Sequence, residues 1–267
     1  MRHLYQGFMS TLFPRPCPLC RKSILDDAGT FCPACLDGFQ VIEEPLCSRC
    51  GYPLAKDTET EGLLCPGCLA RQSPLPPAYT VRSLALYAGG LRKAILRVKY
   101  SSRQTAVARS LSFFIRDHFS RFFPVDAFER ILPVPLHPKR LRAREFNQCV
   151  LLSRPLASHL GIPLDLDAVE RVRHTLPQRF STEKERRKNL KGAFRVRKPA
   201  RIDGQSILLF DDVYTSGATL EEMARCLLSA GASRVAAFTL ARSPREVFPV
   251  PAVSPDRGGV DTAGSLL

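Results

Sequence analysis

The sequence predicts an α/β protein, a parallel sheet flanked by helices, preceded by a small cysteine-rich metal module. Three observations carry this expectation. Ile207, Leu208, Leu209 and Phe210 form an apolar run long enough for a strand buried on both faces, and a helical stripe follows it. Eight of the ten cysteines stand in four C-x-x-C pairs near the start of the chain. Between the two regions, Ser73-Pro74-Leu75-Pro76-Pro77 makes a stiff joint. The division expected from these signals is residues 1–72 for an N-terminal helix and the double metal module, 78–245 for the α/β domain, and 246–267 for a disordered tail.

A length of 267 residues suits one full domain plus a smaller one, and 45% hydrophobic residues is ordinary for a globular chain. Lys and Arg outnumber Asp and Glu by 39 to 25, a surplus of +14 that favours polyanions at a site or on a surface. Arg-rich codon usage is the bland alternative, and charge alone does not separate the two. No apolar run reaches transmembrane length, so no membrane insertion is expected. Residues Met1 to Pro16 carry Leu4, Phe8, Leu12 and Phe13 at rough helical spacing but are too short and polar for a signal peptide. A short packing helix and a cytoplasmic protein are expected.

Cys17/Cys20, Cys32/Cys35, Cys47/Cys50 and Cys65/Cys68 read as C-x2-C-x11-C-x2-C and then C-x2-C-x14-C-x2-C. Each knuckle aims two thiolates at one tetrahedral Zn²⁺, and two knuckles close a structural site with no position left for water. Two structural zinc ions are therefore expected, with sequential or interleaved pairing both open. Disulfides fit secreted chains, and thioredoxin-type redox pairs need a βαβ context. Gly51 suits the turn of one knuckle and Gly67 lies within another. Zinc would hold together a module too small for a core of its own.

Beyond the joint, Leu84, Leu86 and Tyr87 suggest a strand ending at Gly89-Gly90. Leu91, Ala94, Ile95 and Val98 mark one face of a helix, with Arg92, Lys93, Arg97 and Lys99 on its other faces. Val107, Leu111, Phe114, Ile115 and Phe122 mark a second helix, and His118 in it reads as a satisfied or surface residue. Ile131 to Pro135 is a short buried strand, followed by a basic loop from Leu136 to Gln148. Such a run is usually a solvated face, but this one leaves a strand end on the edge where parallel sheets bind ligands. A helix bearing Val150, Leu151, Leu156, Ala157 and Leu160 then closes at Gly161, with Cys149 and Cys226 as small core residues.

The stretch from Ile207 to Thr219 organises the rest. Asp211 and Asp212 stand at the strand's C-terminal end, and Thr215, Ser216, Gly217, Ala218 and Thr219 are small enough for backbone N–H groups to meet an anion. Leu220, Met223, Ala224, Leu227 and Leu228 continue as a helix that Gly231 ends. Acid pair, cradle and helix N-terminus together could hold a sugar phosphate. A Walker B strand would need a G-x-x-x-x-G-K-[ST] loop, which the chain lacks. An ordinary βα turn explains Thr219 as a cap, but not two adjacent carboxylates at a buried strand's end. Val235 to Leu240 reads as a further buried strand.

At these residues DDVYTSGAT resembles the phosphoribosyl-pyrophosphate (PRPP) signature of type I phosphoribosyltransferases, and with the cysteine module the chain resembles the ComF family. The resemblance implies a type I phosphoribosyltransferase fold. It further implies an association with DNA uptake, and PRPP bound with Mg²⁺. Asp211 and Asp212 would then accept the ribose hydroxyls, favouring positive charge at C1, while the cradle residues hold the 5′-phosphate. Lys139 and Arg140 become candidates for the pyrophosphate, with Arg142 and Arg144 behind them. Arg144-Glu145-Phe146-Asn147-Gln148 is similar to the family's R-G-F-N-Q, with Glu145 in place of Gly. The family's R-x-R-x-T-x-x-Q pattern and the Arg and Asn that follow it resemble Arg171, Arg173, Thr175, Gln178, Arg187 and Asn189, a polar basic segment suited to a lid over a polyphosphate. Phosphoribosyl transfer to an acceptor is one expectation. The other is a non-catalytic adaptor, with zinc ribbons and basic surface contacting single-stranded DNA or a competence helicase.

Overall fold

The computed structural model describes residues 15–24, 31–55, 63–71, 75–76, 78–100, 105–173 and 183–244. The N-terminal helix expected before Arg15 and the tail expected from 246 lie outside these residues. In chain order the elements are β1 (Arg15–Pro16), β2 (Ser23–Ile24), α1 (Pro33–Asp37), α2 (Pro66–Leu69), β3 (Tyr79–Leu86), α3 (Gly89–Tyr100) and α4 (Thr105–His118). There follow β4 (Arg130–Pro133), α5 (Pro138–Arg144), α6 (Gln148–Leu160), β5 (Val169–Arg171), α7 (Glu183–Leu190), β6 (Phe194–Val196), β7 (Ser206–Tyr214), α8 (Ala218–Ser229) and β8 (Arg234–Arg242).

Four strands make one parallel sheet in the order β3-β8-β7-β4, with Phe210 opposite Phe238 and Leu132 opposite Leu209. The apolar runs in β7 and β8 explain why both faces are covered, since alternate side chains point to opposite sides. Leu208, Phe210, Ala236 and Phe238 pack with Leu91, Ile95, Leu111, Ile115, Leu152 and Leu156 from α3, α4 and α6. Ile207, Leu209, Val235 and Ala237 pack with Leu220, Met223, Ala224 and Leu227 of α8. Each larger α8 side chain removed from water contributes about 1.5–3 kcal/mol. The result is a parallel sheet with helices on both faces, and β5 and β6 form a separate antiparallel pair beside the α8 face.

Three expectations need correction. The basic stretch after β4 is a helix over Pro138–Arg144, because Pro138 at its first position is preorganised for one and His137 caps it. Phe122 lies beyond α4, which ends at His118, and Phe119 is the more deeply buried ring. In α6 the buried stripe is Cys149, Leu152, Leu156 and Ala157, while Leu151 is exposed. Asn147 sets that register by accepting the Cys149 N–H at 3.0 Å as N-cap.

Candidate functional site

Parallel strands deliver their following segments to one edge of the sheet, and the segments after β4 and β7 both emerge there. Asp212 is buried and Asp211 half-buried near the end of β7. Asp211 Oδ1 accepts the Asp212 N–H at 2.9 Å and the Cys149 thiol at 3.4 Å. Burial, and then the neighbouring Asp212 charge, push the Asp211 carboxyl up to about 7. Cys149 is pushed well above its ordinary value by burial and by both aspartates, so it faces Asp211 as a thiol donor.

Asp212 has a cation of its own. Lys99 Nζ lies 2.7 Å from Asp212 Oδ2, with only 18% of the lysine side chain exposed. Burial opposes the charge on Lys99, but the Asp212 and Asp211 carboxylates outweigh it and hold the lysine above its ordinary value. Gln148 Nε2 also donates to Asp212 Oδ2 at 3.4 Å, and Gln148 Oε1 accepts from Arg144 at 3.2 Å. Sequence periodicity had set Lys99 on an outer face of α3. Its place four residues after Ile95 and eight after Leu91 was the available signal, since it puts the lysine in register with the buried stripe.

Beyond Tyr214 the chain turns through Thr215, Ser216 and Gly217, and α8 begins at Ala218 and Thr219. Gly217 caps the helix at φ 81°, and a Cβ there would sit 2.3 Å from Tyr214 Oη. Only glycine meets both demands. The N–H groups of the first turn have no acceptor within the helix and carry its positive end.

α5 lies across the same edge and presents Lys139, Arg140, Arg142 and Arg144. Lys139 and Arg142 are exposed, whereas Arg140 is half-buried and held below its ordinary value by burial and then by Arg144. Arg144 also places its guanidinium 5.8 Å over the ring of Tyr100, which is 73% exposed. Glu145 ends the helix at φ 65°. That left-handed position costs a residue with a Cβ about 1–2 kcal/mol and suits glycine better.

The expected lid residues divide. Arg171 belongs to β5, where it is buried with its guanidinium 5.6 Å over the Phe194 ring, and burial and then Arg140 lower it while Asp211 raises it. Arg140, Arg171 and Asp211 are thus one electrostatic neighbourhood. Arg173 donates to the Lys191 carbonyl at 2.7 Å, Arg187 lies 3.7 Å from Glu221, and Asn189 is half-buried on α7. Thr175 and Gln178 lie outside the described residues.

The cysteines group sequentially, Cys17, Cys20, Cys32 and Cys35 in one cluster and Cys47, Cys50, Cys65 and Cys68 in the other. Sγ···Sγ separations of 3.9 Å for Cys17–Cys35, 3.5 Å for Cys20–Cys32 and 3.6 Å for Cys50–Cys65 match the edge of about 3.8 Å that a tetrahedron of Zn–S bonds near 2.3 Å requires. Four thiols at that spacing fit structural zinc ribbons. Positive φ follows each first knuckle, at Arg21 (66°) and Gly51 (64°). At Gly51 a Cβ would also meet the Val81 carbonyl at 2.5 Å, which fixes glycine where the module docks on β3.

Comparison with known proteins places these features in context. The double zinc ribbon domain family matches residues 8–69, and the phosphoribosyl transferase domain family matches residues 147–266. DNA utilization protein YhgH of Escherichia coli O157:H7 is 34% identical over 233 residues, covering 86% of this chain and 98% of that one. Competence protein F of Haemophilus influenzae is 31% identical over 88% of this chain and 100% of its own, and competence protein ComFC of Bacillus subtilis 28% identical over 79% and 84%. Among the described residues no helix is long and apolar enough to cross a membrane.

Proposed function

The chain belongs to the ComF family, which joins a double zinc ribbon to a phosphoribosyltransferase domain, and on that premise we propose that its β7 site binds PRPP and serves DNA utilization. The observation that supports this best is the pairing, at one strand end, of the Asp211–Asp212 couple with the Gly217 turn that opens α8. One half accepts hydroxyl donors and the other presents N–H donors, which together make a receptor for a sugar phosphate.

In this reading the N–H groups of Thr215, Ser216, Gly217, Ala218 and Thr219 hold the 5′-phosphate. Asp211 and Asp212 accept the ribose hydroxyls, with Lys99 and Gln148 fixing Asp212. Transfer breaks the C1–O bond, the electron pair leaves on pyrophosphate, and an acceptor's lone pair closes on the cation-like C1. The carboxylates beside C1 favour that developing charge. Lys139, Arg140 and Arg171 receive the leaving pyrophosphate, and the mutual repulsion of the two arginines is relieved when an anion enters. Mg²⁺, held mainly by substrate oxygens, would supply further positive charge to the leaving group. Arg173, Arg187 and Asn189 belong to the proposed lid over the site, and Thr175 and Gln178 of that lid lie outside the described residues.

Calorimetric titration of PRPP with Mg²⁺ into the full chain tests the assignment. The unaltered protein should bind, Asp211→Asn with Asp212→Asn should not, and Arg140→Ala should weaken PRPP about tenfold or more while sparing ribose 5-phosphate. Equal binding by all three would refute the site. A second reading rests on Tyr100, an exposed ring under a guanidinium beside a basic helix, which suits base stacking in single-stranded DNA. Binding of an oligothymidylate should fall steeply between low and physiological salt and drop on Tyr100→Ala. Salt-independent binding, or none, would exclude it.

A further inference from the structure

The loop proposed for the 5′-phosphate is bolted to the second cysteine cluster by two buried arginines. Arg242, the last residue of β8, is 1% exposed and donates to the Cys50 carbonyl at 2.8 Å. Its guanidinium is flanked by two rings, Tyr52 at 5.1 Å and Tyr214 at 4.9 Å. Tyr52 follows the Cys47–Cys50 knuckle, whereas Tyr214 underlies the Gly217 turn so closely that no side chain fits between them. From the other side Arg71, three residues beyond Cys68, reaches into the first turn of α8. Its NH2 lies 2.5 Å from Glu221 Oε2, with 7% and 5% of the two side chains exposed. Glu221 also donates its N–H to the Gly217 carbonyl at 2.9 Å.

These contacts have a chemical logic. A buried carboxylate in the first turn of a helix competes with any anion at that N-terminus unless a cation neutralises it. Arg71 supplies that cation from the cysteine module, with Arg187 3.7 Å from the same Glu221 Oε2. Arg242 supplies rigidity, because its planar head is clamped between the module's ring and the loop's ring. The knuckle itself is anchored independently, with Arg82 donating to the Ser48 carbonyl at 3.2 Å and Val81 to the Arg49 carbonyl at 2.8 Å.

Resting on the phosphate assignment above, we propose that Arg242 and Arg71 are positioning residues through which the second cysteine cluster holds the 5′-phosphate loop in its binding shape. The module thus forms the back wall of the loop.

The test uses the full zinc-loaded chain and two probes, ribose 5-phosphate for the loop and inorganic pyrophosphate for the basic side of the site. Arg242→Gln should lose about tenfold or more in affinity for ribose 5-phosphate and keep pyrophosphate within about twofold. Retention of both affinities, or an equal loss of both, overturns the proposal, since general loosening would not discriminate between the probes. Should Arg242→Gln fail to fold, Arg71→Gln carries the same test, because it leaves the Glu221 carboxylate in the first turn of α8 with only the more exposed Arg187 beside it. Absence of ribose 5-phosphate binding in the unaltered protein would instead refute the phosphate assignment itself, and this proposal with it.

Discussion

Asp211→Asn is expected to make the unliganded protein more heat-stable at pH 8 while abolishing PRPP binding. Its neighbour Asp212→Asn is expected to lower the melting temperature. The difference comes from their partners. Asp211 keeps a carboxyl pushed up to about 7 from the ordinary 3.8, by burial and by Asp212. Between those two values the folded chain holds a proton that the unfolded chain has released, so Asp211 costs stability increasingly as pH rises through that window. Above pH 7 the full cost is present, and an amide that keeps the Oδ1 acceptor for the Asp212 N–H and the Cys149 thiol removes it. The advantage of the variant should therefore shrink from pH 8 to pH 5. Asp212 is instead the partner of Lys99 at 2.7 Å. Its loss strands a largely buried ammonium, at about 2–4 kcal/mol or a fall of about 5–15 °C. Thermal melts of the three proteins at pH 5, 6, 7 and 8 decide the matter. A less stable Asp211→Asn at pH 8 would mean that the acid pair is not strained.

Cys50→Ser should reduce bound zinc from two ions per chain to one and lower the melting temperature by about 10 °C or more. The grouping of Cys47, Cys50, Cys65 and Cys68 means that one substitution disables one site and spares the other. An interleaved pairing would have shared ligands differently along the chain. The stability loss follows from what the knuckle touches, since Cys47 and Cys50 are wholly buried and their stretch accepts bonds from Arg82 and Arg242. Metal analysis beside a thermal melt reads both effects. Loss of both ions, or of neither, would contradict the sequential clusters.

The sheet strands and the α8 stripe were legible because apolar runs and helical periods are local signals, and Gly217 announced itself among small residues after an acid pair. Knuckle spacing likewise gave the cysteine clusters, although it left their pairing open. What escaped was long-range. Nothing near Lys99 in sequence says that Asp212 lies within reach, and nothing near Glu221 says that Arg71 does. Arg71 lies just past α2 and Arg242 ends β8, and only the docking of the cysteine module on β3 brings them to the loop. The helix α5 was missed for another reason. Its four cations masked a start signal, Pro138 after His137, that local rules do contain.

The charge surplus also has a location. Near the start of β4, Asp165 takes Arg130 and Arg201, Asp167 takes Lys198, and Glu170 takes Arg195, so cations there are matched by carboxylates. At the other edge of the sheet α5 carries four cations and no acid along its length. Among the described residues the acid-free charge of α5 thus forms a positive pole at the mouth of the proposed PRPP site. A polyanion diffusing past is turned toward that pole before it touches any residue, and the rate of productive encounter is set by the solution's ionic strength as much as by the fit of the site.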